Sequence, residues 1–287
     1  MSFFKRNKKN SIQPEPLNTA QEDVVTVRLD AQESYRQIQT ASAMHIGTRE
    51  YQQDAVYVSE TACFKKGETS KTFAVLCDGM GGMENGEEAS KTVVESLSES
   101  LRQLDDYSGI PEFFYEQIDR LDQLVYEKHG NGSAGTTLTA VIIIDNHLFW
   151  TSAGDSRIYL FRKDEFVQVT RDHNYKLRLM DEVEKGRLTS EEAETNPKKE
   201  ALISYIGSGQ VEMVDINKEP FELQNGDIIL LCSDGLTKSL SDDEIKGVII
   251  ENYGYIKETA RVLPLIAFDT GAGSKDNTSV ALIQYFE

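Results

Sequence analysis

Five aspartates in this chain stand where an apolar run meets a turn. Asp78, Asp155 and Asp234 follow runs that read as strands, at 73–77, 148–153 and 228–232. Asp54 and Asp276 precede such runs, at 55–58 and 279–283. Aspartate is depleted inside strands and is costly to bury without a partner. Carboxylates repeated at the ends of core strands therefore point to one site where cations offset them. Hard divalent cations such as Mg²⁺ and Mn²⁺ take oxygen ligands of this kind.

The net charge of −18 argues against general affinity for nucleic acid or anionic membrane. It would also repel a phosphorylated substrate, unless bound divalent cations reverse the local field. No apolar run reaches the roughly 18 residues of a membrane span, so no transmembrane segment is expected. The basic start, Lys5, Arg6, Lys8 and Lys9, is followed by no apolar stretch and does not read as a secretory signal. The three cysteines, Cys63, Cys77 and Cys232, show no disulfide or zinc spacing. A reducing, cytoplasmic setting is expected, and a monomer.

Residues 1–35 are polar and carry Pro14 and Pro16, which reads as a mobile extension ahead of one domain over 36–287. Strands are expected at 42–48, 54–59, 73–77, 136–144, 147–153, 157–162, 227–232 and 278–285. Asp145-Asn146 suits a two-residue hairpin turn. Ala89, Val93, Val94, Leu97, Leu101 and Leu104 follow helical spacing, with Asn85 as the expected N-cap. A second helix starts near Pro111 and carries Phe114, Ile118, Leu121 and Val125 on one face. Two more are expected at 242–252 and 255–268. Residues 174–206 are charged, interrupt the strand pattern and read as a long insertion, the kind of segment that often serves function. Strands, two helices, strands, two helices and a strand imply an α+β sandwich with helices outside.

Each motif alone is weak, because Asp-Gly and Asp-Asn are also ordinary turn chemistry. Together and in order they carry a resemblance. The segments are Arg49 through Asp54, Asp78-Gly79-Met80-Gly81-Gly82, Gly135-Thr136-Thr137-Leu138, Gly154-Asp155-Ser156-Arg157, Thr170-Arg171-Asp172-His173, Ser233-Asp234-Gly235-Leu236 and Lys275-Asp276-Asn277-Thr278-Ser279. The chain resembles the metal-dependent serine/threonine protein phosphatases, the PPM or type 2C family, in their compact bacterial form. The resemblance covers nearly everything after the N-terminal extension.

It implies a four-layer α-β-β-α sandwich with two central antiparallel sheets. It implies hydrolysis of phosphoserine and phosphothreonine in proteins, opposing a cognate Ser/Thr kinase. Two divalent cations, Mn²⁺ or Mg²⁺, would be bridged by Asp78 and held by Asp54, Asp234, Asp276 and the Gly79 carbonyl. Four carboxylates balance two such ions. The nucleophile would be water bridging the ions. Arg49 would clamp the phosphate, and its planar fork suits bidentate binding; the alternative is a surface salt bridge. Asp155 would hold a third ion with Asp234; the alternative is a turn residue paired with Arg157.

The chain departs from the family at three points. Met80 replaces a histidine proposed as general acid in many eukaryotic members, so the leaving group must take its proton from water. Gln53 stands where some members carry Glu. Asn174 follows His173 where Ser or Thr is commoner, and His173 reads as a structural residue. The insertion at 174–206 would be the family's flap, with Lys198 and Lys199 facing substrate or solvent. A small-molecule phosphomonoesterase and a phosphoprotein-binding pseudophosphatase are the competing readings.

Overall fold

The computed structural model describes residues 35–287 apart from 66, 82–83, 105, 130–131 and 271–274. The expected N-terminal extension, except for Tyr35, lies outside the described residues. The chain runs through β1 (Tyr35–His45), β2 (Asp54–Val58), β3 (Ala62–Lys65) and β4 (Lys71–Gly81) into helices α1 (Glu84–Arg102) and α2 (Ile110–Lys128). Strands β5 (Ala134–Thr136), β6 (Leu138–Ile144), β7 (His147–Ala153), β8 (Arg157–Arg162) and β9 (Glu165–Gln168) follow. Next come α3 (Tyr175–Glu184), α4 (Ser190–Glu194), β10 (Asp215–Ile216), β11 (Phe221–Glu222) and β12 (Ile228–Cys232). The chain closes with α5 (Asp234–Thr237), α6 (Asp242–Glu251), α7 (Ile256–Thr270) and β13 (Thr278–Phe286).

The strands form two antiparallel sheets. One has the order β3-β1-β13-β12-β8-β9; the other has β10-β7-β6-β4-β2, with β11 on β7 and β5 on β4. Alternation along the central strands creates three apolar layers. In β4, Phe73, Val75 and Cys77 pack toward α1 and α2, while Ala74 and Leu76 face the other sheet. In β12, Ile228, Leu230 and Cys232 pack toward α6 and α7, while Ile229 and Leu231 point inward. Strands buried on both faces read as continuous apolar runs, and for that reason they are visible in the sequence. The result is the expected α-β-β-α sandwich.

Several boundaries differ from expectation. β1 begins seven residues before residue 42, because Tyr35 to Ile38 pair with β3 although their sequence is mostly polar. β4 does not stop at Cys77: Gly79, Met80 and Gly81 pair with β5, so Asp78 lies within a strand rather than after one. The expected single strand 136–144 breaks at Thr137, whose N–H and Oγ are taken by the Asp78 carbonyl and N–H, at 2.9 Å each. Asn85 lies inside α1 rather than capping it. Among the described residues no helix is long and apolar enough to cross a membrane.

The insertion contains α3 and α4. Its ends are pinned by the bridges Asn174↔Leu202 and Thr136↔Ile206. Its exit is tied to α2, where the buried Asp122 carboxylate accepts from the N–H groups of Gly207 (2.7 Å) and Gly209 (3.3 Å). α4 carries a capping box between Thr189 and Glu192, which explains a five-residue helix in an exposed loop.

Candidate active site

The site forms where the space between the two sheets opens at one end. Val56 and Val58 of β2, like Ala74 and Leu76 of β4, face that space. Two-residue alternation puts Asp54 and Asp78 on the same faces, and they are register partners. The flanking Gly79 N–H bonds to the Gln53 carbonyl at 3.1 Å. Asp54 and Asp78 are therefore the non-hydrogen-bonded pair, whose side chains stand closest. Like charges placed this way repel.

The other sheet supplies the facing carboxylates. β12 ends at Cys232, Ser233 N–H bonds back to the Ser279 carbonyl at 3.1 Å, and Asp234 opens α5. Ser233 Oγ donates to Asp54 Oδ2 at 2.8 Å, which links the two sheets at the site. Asp54 Oδ1 and Asp234 Oδ1 are buried and make no hydrogen bond. Asp234 Oδ2 pairs with Lys238. Asp276, just before β13, pairs with Arg49 at 2.9 Å.

A cleft of about 300 Å³ brings together Arg49, Asp78, Gly79, Asp155, Asp234 and Asp276 from five separate segments. Of the residues predicted from sequence, only Asp54 does not line it. Asp54 lies beneath, 2% exposed, against Asp78. Burial pushes the Asp54 carboxyl up to about 7, opposed by the nearby hydroxyls of Ser279 and Ser233 and aided by Asp234 and Asp276. Burial, and then Asp54 and Asp234, hold Asp78 well above the usual carboxylate range. Burial and Asp234 bring Asp155 to about 7, and burial raises Asp234 against the pull of Lys238. A cluster of this kind lacks positive charge. Two buried carboxylate oxygens without donors, in a site with no imidazole or thiolate among the described residues that line it, fit a hard cation. Among the described residues no three acidic, imidazole or thiol groups converge to cage one ion alone. Ions that keep several waters need few protein ligands.

Residues around the carboxylates, some with no role assigned from sequence, hold the site in shape. Asn277 donates to the carbonyls of Ile46 (2.8 Å) and Tyr51 (3.1 Å) and accepts from the Gln53 N–H (2.8 Å), so it fixes the loop that carries Arg49. At Gly79 a Cβ would stand 2.1 Å from the Gly86 carbonyl oxygen, so only glycine lets α1 approach this strand. His173 is fully buried; its Nδ1 accepts from the Gly154 N–H at 3.2 Å and its own N–H bonds to the Gly154 carbonyl at 2.8 Å. It thus fixes the turn that presents Asp155. Arg157 does not pair with Asp155: it holds Asp172 bidentately at 2.8 and 2.6 Å. From the insertion, Glu200 and Leu202 line the cleft, while Lys199 is committed to Glu194 at 2.7 Å. Ser233 and Asn277 stand beside motif aspartates, the one signal that could have singled them out.

Residues 41–200 match the family model for protein phosphatase 2C. This chain belongs to that family. It is 35% identical over 224 residues to the protein phosphatase PhpP of Streptococcus pneumoniae, covering 76% of this chain and 87% of that protein. It is 32% identical over 219 residues to the serine/threonine phosphatase stp of Listeria innocua, covering 73% and 83%. Among solved structures, it matches the S. agalactiae serine/threonine phosphatase with a TM-score of 0.74 at 28% identity, over 87% of this chain and 100% of that one. It also matches the catalytic domain of PstP in complex with two manganese ions, with a TM-score of 0.67 at 27% identity, over 88% and 100%. As a family member the chain is a metal-dependent protein-serine/threonine phosphatase, and divalent cations are its cofactors.

Proposed function

We propose that Asp54, Asp78, Asp234 and Asp276, with the Gly79 carbonyl, hold two divalent cations over which phosphoserine and phosphothreonine in proteins are hydrolysed. The observation that carries this assignment is the pair of buried, undonated oxygens, Asp54 Oδ1 and Asp234 Oδ1, at the ends of facing strands. When bound, such cations lower the pKa of a water held between them toward neutrality and offset charge on the phosphoryl oxygens. Asp78, which lines the cleft, would be shared by both ions, with Asp54 and Asp234 contributed from the two sheets. Either Mn²⁺ or Mg²⁺ suits an all-oxygen donor set.

Arg49 binds the phosphate. Its pair with Asp276 is exposed, 51% and 31%, and such pairs contribute little, so the guanidinium can exchange its partner for substrate. Its fork then orients the phosphoryl group for in-line attack. Met80 lines the cleft and has no proton to give, and His173 is sealed against Gly154. Solvent water therefore protonates the leaving oxygen. Asp155 and Asp234 form a second carboxylate pair, which calls for further positive charge beside it.

Apart from Met80 and Leu202 the cleft wall is polar, unlike the largely apolar pocket that encloses a metabolite. This favours a phosphorylated protein over a small phosphoester, and all the metal carboxylates are present, which disfavours a pseudophosphatase. The partners are phosphoproteins and the Ser/Thr kinase that supplies them, and the chain acts as a monomer in the cytoplasm. Phosphate release from a phosphothreonine peptide with Mn²⁺, with Mg²⁺ and with EDTA tests the assignment. Release should require metal and vanish in Asp78→Asn. Full activity in EDTA, or activity of that variant within tenfold of wild type, would overturn it.

A further inference from the structure

Lys238 follows Asp234 by one helical turn, and its ammonium pairs with Asp234 Oδ2 while Oδ1 stays undonated. One oxygen of this carboxylate is thus paired and the other is buried without a donor, and Asp234 lines two cavities. The second cavity, of about 370 Å³, is lined by Asp155, Glu200, Asp234 and Lys238 together with Arg157 and Asp172. Arg157 is committed to Asp172 by two hydrogen bonds. Among the described residues lining this cavity, Lys238 is then the cation left to face Asp155, Asp234 and Glu200. Its charge acts on Asp155 and Asp276 as well as on Asp234.

We propose that the Lys238 ammonium is a tethered cation in the place of a third metal ion, so that the protein works with two exchangeable divalent ions and one built-in monovalent charge. The inference rests on the two-ion reading of the neighbouring carboxylates. Its chemistry is charge balance. A third divalent ion would use Asp155 and Asp234, and a lysine already seated on Asp234 both occupies one ligand oxygen and repels the incoming ion. Lys238 is a positioning residue: it acts through Asp234 and does not touch the reacting phosphate. The pair also restrains the Asp234 side chain.

The test is metal stoichiometry without substrate. Mn²⁺ binding to the full chain is measured by equilibrium dialysis, with free Mn²⁺ followed by its paramagnetic resonance signal. Wild type and Lys238→Arg should bind two ions per chain, with no third up to low millimolar Mn²⁺. Lys238→Met and Lys238→Gln should gain a third ion, bound at least about tenfold more tightly than any third ion on wild type. Lys238→Glu should bind it more tightly still. Thermal unfolding confirms that each variant is folded, and the isosteric pair of Met and Gln separates charge from shape. A third ion on wild type that the substitutions leave unchanged would overturn the proposal. So would two ions on every variant. Failure of wild type to bind two ions would instead overturn the underlying two-ion reading.

Discussion

Replacing Asp54 by Asn exchanges one oxygen for an NH₂ group and removes a charge that the fold keeps 2% exposed. The amide oxygen can still accept from Ser233 Oγ, now at 2.8 Å. Burial and the neighbouring carboxylates carry the Asp54 pKa from 3.8 to about 7. A folded-state value above the unfolded one means that the folded protein holds its proton longer. The stability from this group is complete below about pH 4, falls as pH rises, and is gone above about pH 7. In metal-free protein at pH 8 the charged Asp54 then destabilises the fold by roughly 4 kcal/mol, and by about half as much at pH 5.5. Asn carries no such penalty. In EDTA at pH 8, Asp54→Asn should therefore melt higher than wild type by on the order of 10 °C, since about 1 kcal/mol moves a domain of this size by a few degrees. At pH 5.5 the gain should be roughly halved. Saturating Mn²⁺ should reverse the order, because wild type gains metal binding energy that the variant loses. Melting curves by circular dichroism at the two pH values, with EDTA and with Mn²⁺, measure all of this. No gain in EDTA at pH 8, or the same gain at both pH values, would refute the argument that uncompensated charge at Asp54 strains the metal-free fold.

Arg49→Ala should raise KM for a small phosphoester about tenfold while changing kcat less than about threefold, with an unchanged melting temperature; loss confined to kcat would place Arg49 in the transition state. Gly79→Ala puts a Cβ 2.1 Å from the Gly86 carbonyl oxygen and 2.6 Å from that of Gln53, both backbone, and should destabilise by about 3 kcal/mol in urea unfolding. Asp122→Ala should cost roughly 1–3 kcal/mol by leaving the Gly207 and Gly209 N–H groups without an acceptor, with Asp122→Asn milder; limited proteolysis should then cut near residues 207–209 before the core.

The sequence by itself determined the central strands and the carboxylate inventory. β4, β6, β12 and β13 are buried on both faces, so each carries an apolar run, and an aspartate stands close to that run in the sequence. The helices over them show 3.6-residue periodicity because each buries one stripe. Edge and capping elements were not legible in this way. β3, β9 and the first residues of β1 are short or half-exposed; β3 is held by pairing with β1 and β9 by a tight hairpin with β8, not by an apolar run of its own.

Only the tertiary structure decided which charges meet. Asp54 and Asp78 become neighbours through a strand register, and Asp54 meets Ser233 across 179 positions of chain. Arg157 chooses Asp172 over Asp155, and Lys238 reaches Asp234 through the single turn of α5, which no periodicity announces. An aspartate's place at a strand end is a local property, written in the residues beside it. Its partner is set by two sheets stacking face to face, and local sequence carries no record of that distance.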